Sequence, residues 1–265
     1  MDAVNEEAEK MNSSRSGKNY FSRKDIKSGE EVDIRILPPI LSLNGLFYLK
    51  RVQIWINKKP YISPKTFGEP CPIHDLLNSI NKGDDDDLKV LANSDSFSIA
   101  EDYLMPILLL KVNYKNSKVE SVEVVDDCVK IFDATWSIVK KLNNLVSHRQ
   151  FQNGSSLGIF DPKKGHNIII SKEEKSKRVE YDCMAYTQPS EIDPKYLEEI
   201  PDIVDDLRKR LLPNNELLNI ANNYFYGKSI PDSAIRTEES DSIKKSVSST
   251  GGKSLMDRIR ENSKK

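Results

Sequence analysis

The sequence has few cysteines, few histidines, no long apolar run and no excess of positive charge. Its 265 residues include 3 Cys and 3 His, and the formal net charge is −1. Because no run of about 18 apolar residues and no basic-then-apolar leader occurs, we expect neither a membrane span nor secretion. The sparse, odd number of cysteines fits reduced thiols and favours a cytoplasmic location. With a net charge so close to zero, any nucleic-acid-binding face must come from local clusters of lysine and arginine.

The motifs of common enzyme classes are also missing. His74, His148 and His166 have no partner at the spacing of a metal-binding His-Glu-x-x-His helix, and no Gly-x-Ser-x-Gly elbow occurs. Gly251-Gly252-Lys253-Ser254 resembles the end of a phosphate-binding loop, but Val247 stands where that loop requires a glycine. We therefore predict that the protein is not an enzyme.

Cys71 and His74 are spaced like two ligands of a structural zinc site. Such a site needs four ligands, and residues 58–70 contain neither cysteine nor histidine. The other cysteines and histidines are distant in the sequence but could fold nearby, so the alternative of a bound zinc stays open. We expect a protein that folds without zinc and without any other cofactor.

Apolar patterns predict a set of β-strands. Alternating apolar and charged residues predict a half-buried strand over Glu31–Ile36, which Pro38-Pro39 ends. A second strand is predicted over Leu46–Asn57. The nearly continuous apolar run Tyr103–Val112 predicts a central strand buried on both faces, and Lys118–Val125 is predicted to pair with it.

A hairpin and several helices are predicted in the rest of the chain. The strands Ile168–Lys172 and Arg178–Tyr186 are expected to pair across a charged loop. Helical patterns cover Pro72–Lys89, Cys128–Leu145, Glu191–Leu212 (split by Pro201) and Asn215–Tyr226.

Two features inside these helical stretches require a separate interpretation. Trp136 falls on the apolar stripe of the predicted helix Cys128–Leu145, and we interpret it as a core residue. The acidic run Asp84–Asp87 lacks the ligand spacing of an EF-hand, so we interpret it as part of a solvated loop from Asn81 to Asp87.

Composition divides the chain into four predicted parts. Residues 1–19 are a flexible N-terminal tail, 20–187 a folded core, 188–228 a helical region, and 229–265 a flexible, serine-rich tail. A short amphipathic helix is predicted at the end of the tail, and its candidate partner-binding residues are Leu255, Met256, Arg258, Ile259 and Arg260. The alternative is a disordered basic end that holds phosphates.

Aromatic and basic residues are interleaved between positions 46 and 67, as in surfaces that stack bases and contact phosphates. The candidate nucleic-acid-binding residues are the cations Arg35, Lys50, Arg51, Lys58, Lys59, Lys65 and Lys111 and the aromatics Tyr48, Trp55, Tyr61 and Phe67.

The order of several short motifs resembles the T4-type bacteriophage single-stranded DNA-binding protein family over residues 20–187. The matching motifs are Ile34-Arg35-Ile36-Leu37-Pro38, the aromatic-basic hairpin, Cys71-Pro72-Ile73-His74, the strand before Lys111, Lys130-Ile131-Phe132-Asp133, and Asp161-Pro162-Lys163-Lys164-Gly165 followed by Ile168-Ile169-Ile170. The chain departs from the family at His74, which replaces the second zinc-binding cysteine. The upstream zinc ligands and the acidic C-terminal tail are also missing.

This resemblance implies a mainly β (α+β) fold: an OB-fold five-stranded barrel with an inserted helical and loop subdomain and a helical C-terminal region. It implies a viral protein of the host cytoplasm that binds single-stranded DNA during replication, recombination and repair, without sequence specificity. Replication or recombination proteins would bind its C-terminal tail. Two alternatives stay open: a non-enzymatic adaptor or scaffold of a phage replisome or virion, and an RNA-binding OB protein.

Overall fold

A computed structural model of the protein describes residues 19–39, 43, 45–114, 129–151, 157–175 and 178–227. Several predicted features lie outside these residues: the N-terminal tail up to residue 18, the strand Lys118–Val125, Cys128, and the C-terminal tail with its short helix. Within the described ranges, no helix has the length and apolar character needed to cross a bilayer.

The strands belong to one eight-stranded, mostly antiparallel sheet. They are β1 (Tyr20–Ser22), β2 (Glu30–Ile36), β3 (Leu49–Ile56), β4 (Lys59–Ile62), β5 (Phe97–Tyr114), β6 (Val129–Ala134), β7 (His166–Lys175) and β8 (Arg178–Pro189). The neighbours follow the order β1-β6-β5-β2-β7-β8, and β3 pairs with β4 and β5. The β1–β6 pair is parallel, whereas β2 pairs antiparallel with both β5 and β7.

The α-helices of the described residues are α1 (Pro72–Lys82), α2 (Asp86–Ala92), α3 (Trp136–Ser147), α4 (Pro194–Glu198), α5 (Ile203–Lys209) and α6 (Asn214–Tyr226). The fold is therefore mixed, with a large sheet and additional helices, and the coarse α+β prediction is confirmed.

The predicted strands with the clearest apolar patterns are confirmed. In β2 the side chains of Val32, Ile34 and Ile36 are fully buried, as predicted, but Asp33 and Arg35 on the charged face are buried too, so the strand is not half-buried as its alternation predicts. The predicted hairpin is formed by β7 and β8. Its first strand extends to Lys175, beyond the predicted end at Lys172, so Glu173 and Glu174 belong to the strand and not to a loop.

The predicted single helix over Cys128–Leu145 is wrong in its first half. Val129–Ala134 forms strand β6 between β1 and β5, and α3 begins only at Trp136. A short apolar run fits a strand as well as a helix, and its pairing with β1 and β5 decides between them. The β-branched Ile131 and the aromatic Phe132 are well suited to a pleated, buried surface.

The predicted acidic loop is also wrong at its C-terminal end. Helix α1 stops at Lys82, and a second helix, α2, begins at Asp86. The Asp85 side chain accepts a hydrogen bond from the backbone N–H of Leu88 at 3.1 Å. Carboxylates stabilise the positive end of a helix, so the acidic run marks a helix start.

The described chain divides into two compact units. The major unit contains the residues up to Val52 and Glu101–Arg210, and the minor unit contains Gln53–Ala100 and the residues from Leu211 onward. The predicted boundaries at residues 19, 187 and 228 rest on composition and differ from the limits of these units. The division into tails, core and helical region stays a prediction.

Each unit has its own apolar core. In the major unit, residues of β2, β5, β6, α3 and β7 meet, among them Ile34, Met105, Phe132 and Val139. In the minor unit, Ile54 and residues of α1 contact one face of α6. In both units the core side chains occupy one face of the strands, so a surface for a ligand can lie only on the opposite faces and at the strand ends.

Candidate nucleic-acid interface

A continuous row of aromatic side chains runs through the major unit from its core to its surface. We call Phe160, Phe47, Tyr48, Tyr103 and Trp136 the aromatic row. Successive ring centroids along it are 4.9, 5.1, 5.7 and 5.4 Å apart. Such spacings and tilted or edge contacts are favourable for aromatic pairs. The row gives its outermost ring a rigid support.

Trp136 is that outermost ring, and its interpretation as a core residue is wrong. Its side chain is 53% exposed, while Ile138, Val139 and Leu142 form the buried face of α3. The predicted apolar stripe includes residues that belong to β6, and Trp136 is in fact the first residue of α3, so the stripe does not describe the buried face of the helix. An exposed indole supported by other rings is a suitable platform for base stacking.

Two lysines lie next to the exposed end of the aromatic row. Lys140 is exposed one turn after Trp136 on α3, so the two side chains share one helix face. Burial raises the pKa of the Tyr103 phenol, and the nearby positive charge of Lys50 reduces this increase. Lys50 also pairs with Glu101 at 2.7 Å, which raises the pKa of the Lys50 amine.

Arg51, by contrast, belongs to a set of four charges that we call the charge quartet, in which Arg51 and Asp102 are buried and Arg23 and Asp133 are partly exposed. The Asp102 carboxylate lies 3.2 Å from an Arg23 nitrogen and 3.0 Å from an Arg51 nitrogen. Asp133 contacts the same two arginines at 2.6 and 3.6 Å. Two positive and two negative charges therefore balance inside the major unit. This removes Arg51 from the set of surface cations that could contact a phosphate.

Arg35 is likewise internal, with 1% of its surface exposed. Its guanidinium donates to the carbonyl oxygen of Asp161 at 2.6 Å, and burial lowers the pKa of Arg35 to about 10. The turn above it is shaped by the Asp161 side chain, which accepts from the backbone N–H groups of Lys163 and Lys164. A Cβ at Gly165 would collide with the Arg35 guanidinium and with the Asp161 carbonyl.

In the minor unit, the β3–β4 hairpin separates the predicted aromatic platforms. Trp55 lies opposite Pro60, and Tyr61 lies opposite Ile54. Directly opposed residues share a face and neighbours along a strand alternate, so Trp55 and Tyr61 point to opposite faces. Tyr61 packs against the minor-unit core, and burial raises its pKa.

The remaining predicted residues of the minor unit differ in exposure. Lys58 is exposed at the hairpin turn, where it and Asn57 both have positive φ, as a two-residue turn of this kind requires. Lys65 is exposed on a short 3-10 turn, whereas Lys59 and Phe67 are half-buried. The predicted cluster is thus divided between faces and between units.

The Cys71-Pro72-Ile73-His74 motif forms the start of α1. Pro72 occupies the first turn, and the buried Cys71 packs in the minor-unit core. The Nδ1 atom of His74 is buried without a hydrogen-bond partner, and burial, followed by the charge of Lys65, lowers its pKa. Among the described residues, no group of three or more His, Cys, Asp or Glu is arranged to hold a metal. The expected absence of zinc stays a prediction.

A groove on the outer face of the major-unit sheet contains the last predicted cation, Lys111. The cavity volume is about 440 Å³, and its walls include Asp33, Lys111, Asn167, Tyr186 and Gln188. Lys111 lies directly opposite Asp33 on the neighbouring strand. The phenol of Tyr186 donates to Asp33 Oδ2 at 2.9 Å. Alternation in β2 places Asp33 on the face away from the core, but the groove itself was not predicted.

No family model and no curated protein matches this chain.

Proposed function

We propose that the protein binds single-stranded DNA through the exposed end of the aromatic row, with Trp136 as the stacking platform. The observation that carries this proposal is a half-exposed indole held in place by Tyr103 and Tyr48. Every base offers a π-face, so stacking of this kind is tolerant of sequence. Lys140 would contact a phosphate next to a stacked base, and Lys50 would do so only by exchanging Glu101 for the phosphate.

We also infer that the strands of the major unit form an OB-type barrel. The pairing of β2 with both β5 and β7 supports this, together with the bulge between Asp33 and Ile34. Bulges bend strands and are frequent at the rims of barrels. An experimentally determined structure in which these strands form an open, flat sheet would count against the inference.

A fluorescence titration with oligothymidine tests the proposal directly. The chain has 2 tryptophans, so the variant Trp55→Phe leaves Trp136 as the sole indole. We expect quenching of the Trp136 emission on binding. Log K should fall linearly with log salt, with a slope of about −0.7 for each phosphate neutralised. Duplex DNA should bind much more weakly, because its bases are already stacked.

Substitutions of the Trp136 side chain then test whether its indole ring stacks on a base. Trp136→Ala should weaken oligothymidine binding by about 1–3 kcal/mol, whereas Trp136→Phe should retain most of the affinity. Leu46→Ala is the matched control, because Leu46 is 52% exposed in the same unit but has no π-face. Equal effects of Trp136→Ala and Leu46→Ala would show that the indole is not a stacking platform.

One observation favours a second candidate, the non-enzymatic adaptor. Arg35 and Arg51 are internal, and Lys50 is paired with Glu101, so fewer surface cations are available in the major unit than the sequence predicts. Quenching that is absent, or binding that does not respond to salt, would favour the adaptor. Stronger binding of an oligouridine than of the matching DNA would favour the RNA-binding alternative. The proposed roles in replication, recombination and repair, in a cytoplasmic setting, rest on the single-strand binding itself.

A further inference from the structure

We propose that the groove around Asp33 binds a guanine base of the same single strand, which gives this sequence-tolerant protein one base-selective position. The inference rests on the proposed function and specifies which base that strand presents to the groove. The groove lies within the major unit, and its walls combine a carboxylate, an amine, amides and a phenol.

The carboxylate of Asp33 is the first element of the site. Its residue is 8% exposed, and its one hydrogen bond within the described chain is the one from Tyr186 to Oδ2. Oδ1 is buried without any partner. A buried carboxylate oxygen without a donor is unfavourable, so a ligand N–H that reaches it would gain more than an ordinary surface hydrogen bond.

Lys111 is the second element. It is the cross-strand neighbour of Asp33, yet the two do not form an ion pair in the structure, and both line the groove. The amine therefore remains available for a ligand acceptor. A ligand that presents N–H donors on one edge and acceptors on another can satisfy both groups at once.

Guanine has this arrangement. Its Watson–Crick edge carries the N1–H and N2–H donors, which suit a carboxylate, and its other edge carries the O6 and N7 acceptors, which suit a lysine. Thymine offers a single ring N–H, and adenine has no ring N–H beside its amino group. The Tyr186 ring is 40% exposed beside Asp33, so it provides a face on which the base can stack.

Binding of the base requires the Tyr186 side chain to move away from Asp33. Tyr186 is tied to Asp33 by one hydrogen bond and otherwise lies on the exposed strand β8. Rotation of this side chain would free both carboxylate oxygens of Asp33 for the two N–H donors of the base. Tyr186 is therefore the movable wall of the groove, and Asp33 is the fixed one.

The experiment compares oligothymidines that carry a single central guanine, hypoxanthine, cytosine or thymine. We expect the guanine strand to bind about tenfold more tightly than the all-thymine strand. Hypoxanthine lacks the N2 amine and should lose part of this advantage. A guanine analogue with carbon in place of N7 should lose another part in the native protein but none in Lys111→Met.

Variants identify the groove as the source of the preference. Asp33→Asn keeps an oxygen that accepts from Tyr186 but removes the negative charge, so it should abolish the guanine advantage and leave oligothymidine binding unchanged. Asp95→Asn makes the same charge change at an exposed position of the minor unit and should retain the advantage. Tyr186→Phe should also retain it, since the phenol competes for Asp33.

The outcomes separate this inference from the proposed function. Equal affinity for guanine and thymine strands, with binding that still depends on Trp136, would overturn the guanine site and leave the single-strand function intact. An equal preference for cytosine would overturn the guanine assignment, because the groove would then read only an amino group. If no strand binds, the proposed function fails and the inference fails with it.

Discussion

Removing one member of the charge quartet should destabilise the protein far more than removing an exposed ion pair beside it. Asp102 accepts from Arg23 with one oxygen and from Arg51 with the other, at 3.2 and 3.0 Å. The Asp102→Leu variant would leave Arg51 with only the longer contact to Asp133 at 3.6 Å. Breaking a buried pair in this way costs about 3–5 kcal/mol, because a charge stays buried without compensation.

The neighbouring pair Lys50–Glu101 supplies the matched control. It joins the same two strands one position away, but both side chains are 48% exposed. Exposed pairs contribute about 0.2–1 kcal/mol, so Glu101→Leu should have a small effect. High salt should reduce that small effect further and should change the Asp102 result little, because buried pairs are screened less.

Urea unfolding, followed by circular dichroism, measures the free energy of unfolding of both variants. A double variant tests whether the uncompensated charge of Arg51 is the cause of the loss. Combining Arg51→Met with Asp102→Leu removes both charges and leaves Arg23 paired with Asp133 at 2.6 Å. We expect the double variant to recover most of the stability lost in Asp102→Leu. The charges of the quartet do not compensate each other if the losses of stability from Arg51→Met and Asp102→Leu are additive, or if Asp102→Leu costs no more stability than Glu101→Leu.

Three further predictions follow from single sites. Gly165→Ala should lower the free energy of unfolding by about 3 kcal/mol, because its Cβ would collide with Arg35 and with backbone oxygens, whereas a Cβ at Gly83 would come no closer than 3.3 Å to the Ser79 oxygen, so Gly83→Ala should cost much less in the same urea assay. Burial raises the pKa of the Cys183 thiol to about 12, so mass-mapped alkylation at neutral pH should modify Cys183 only after unfolding. Burial and the hydrogen bond to Asp33 raise the pKa of Tyr186 from 10.0 to about 12, so the folded state retains a proton that the unfolded state releases. The native protein should therefore lose stability relative to Tyr186→Phe as the pH rises from 10 to about 12, and no relative loss in alkaline unfolding curves would contradict the assignment.

The sequence predicts best those strands in which apolar and charged residues alternate. Val32, Ile34 and Ile36 alternate with charged residues, and the sheet buries them as expected, although it also buries the charged face. The pattern fails over Cys128–Leu145, since a run of six residues in β6 fits both periods and its strand neighbours lie far away in the chain. Local periodicity contains no information about such partners.

The candidate site was less predictable for the same reason. Arg51 resembles a surface cation in sequence, but Asp102, which neutralises it, is 51 positions away. Trp136 has apolar neighbours at helical spacing, and only the true start of α3 places it on the exposed side. Whether an arginine or a tryptophan faces solvent depends on tertiary partners, which composition does not reveal.

The contact between Arg35 and Gly165 has a consequence for how related sequences would vary. The arginine of the strand motif and the glycine that closes the Asp161–Gly165 turn touch directly, although they are widely separated in the chain. A side chain at position 165 would meet the backbone oxygens of Ile159 and Asp161 whatever stands at position 35, so a descendant that keeps this turn should retain both the glycine and an arginine that reaches the Asp161 carbonyl. One gapped pattern that requires both would therefore detect distant relatives more specifically than either short motif alone.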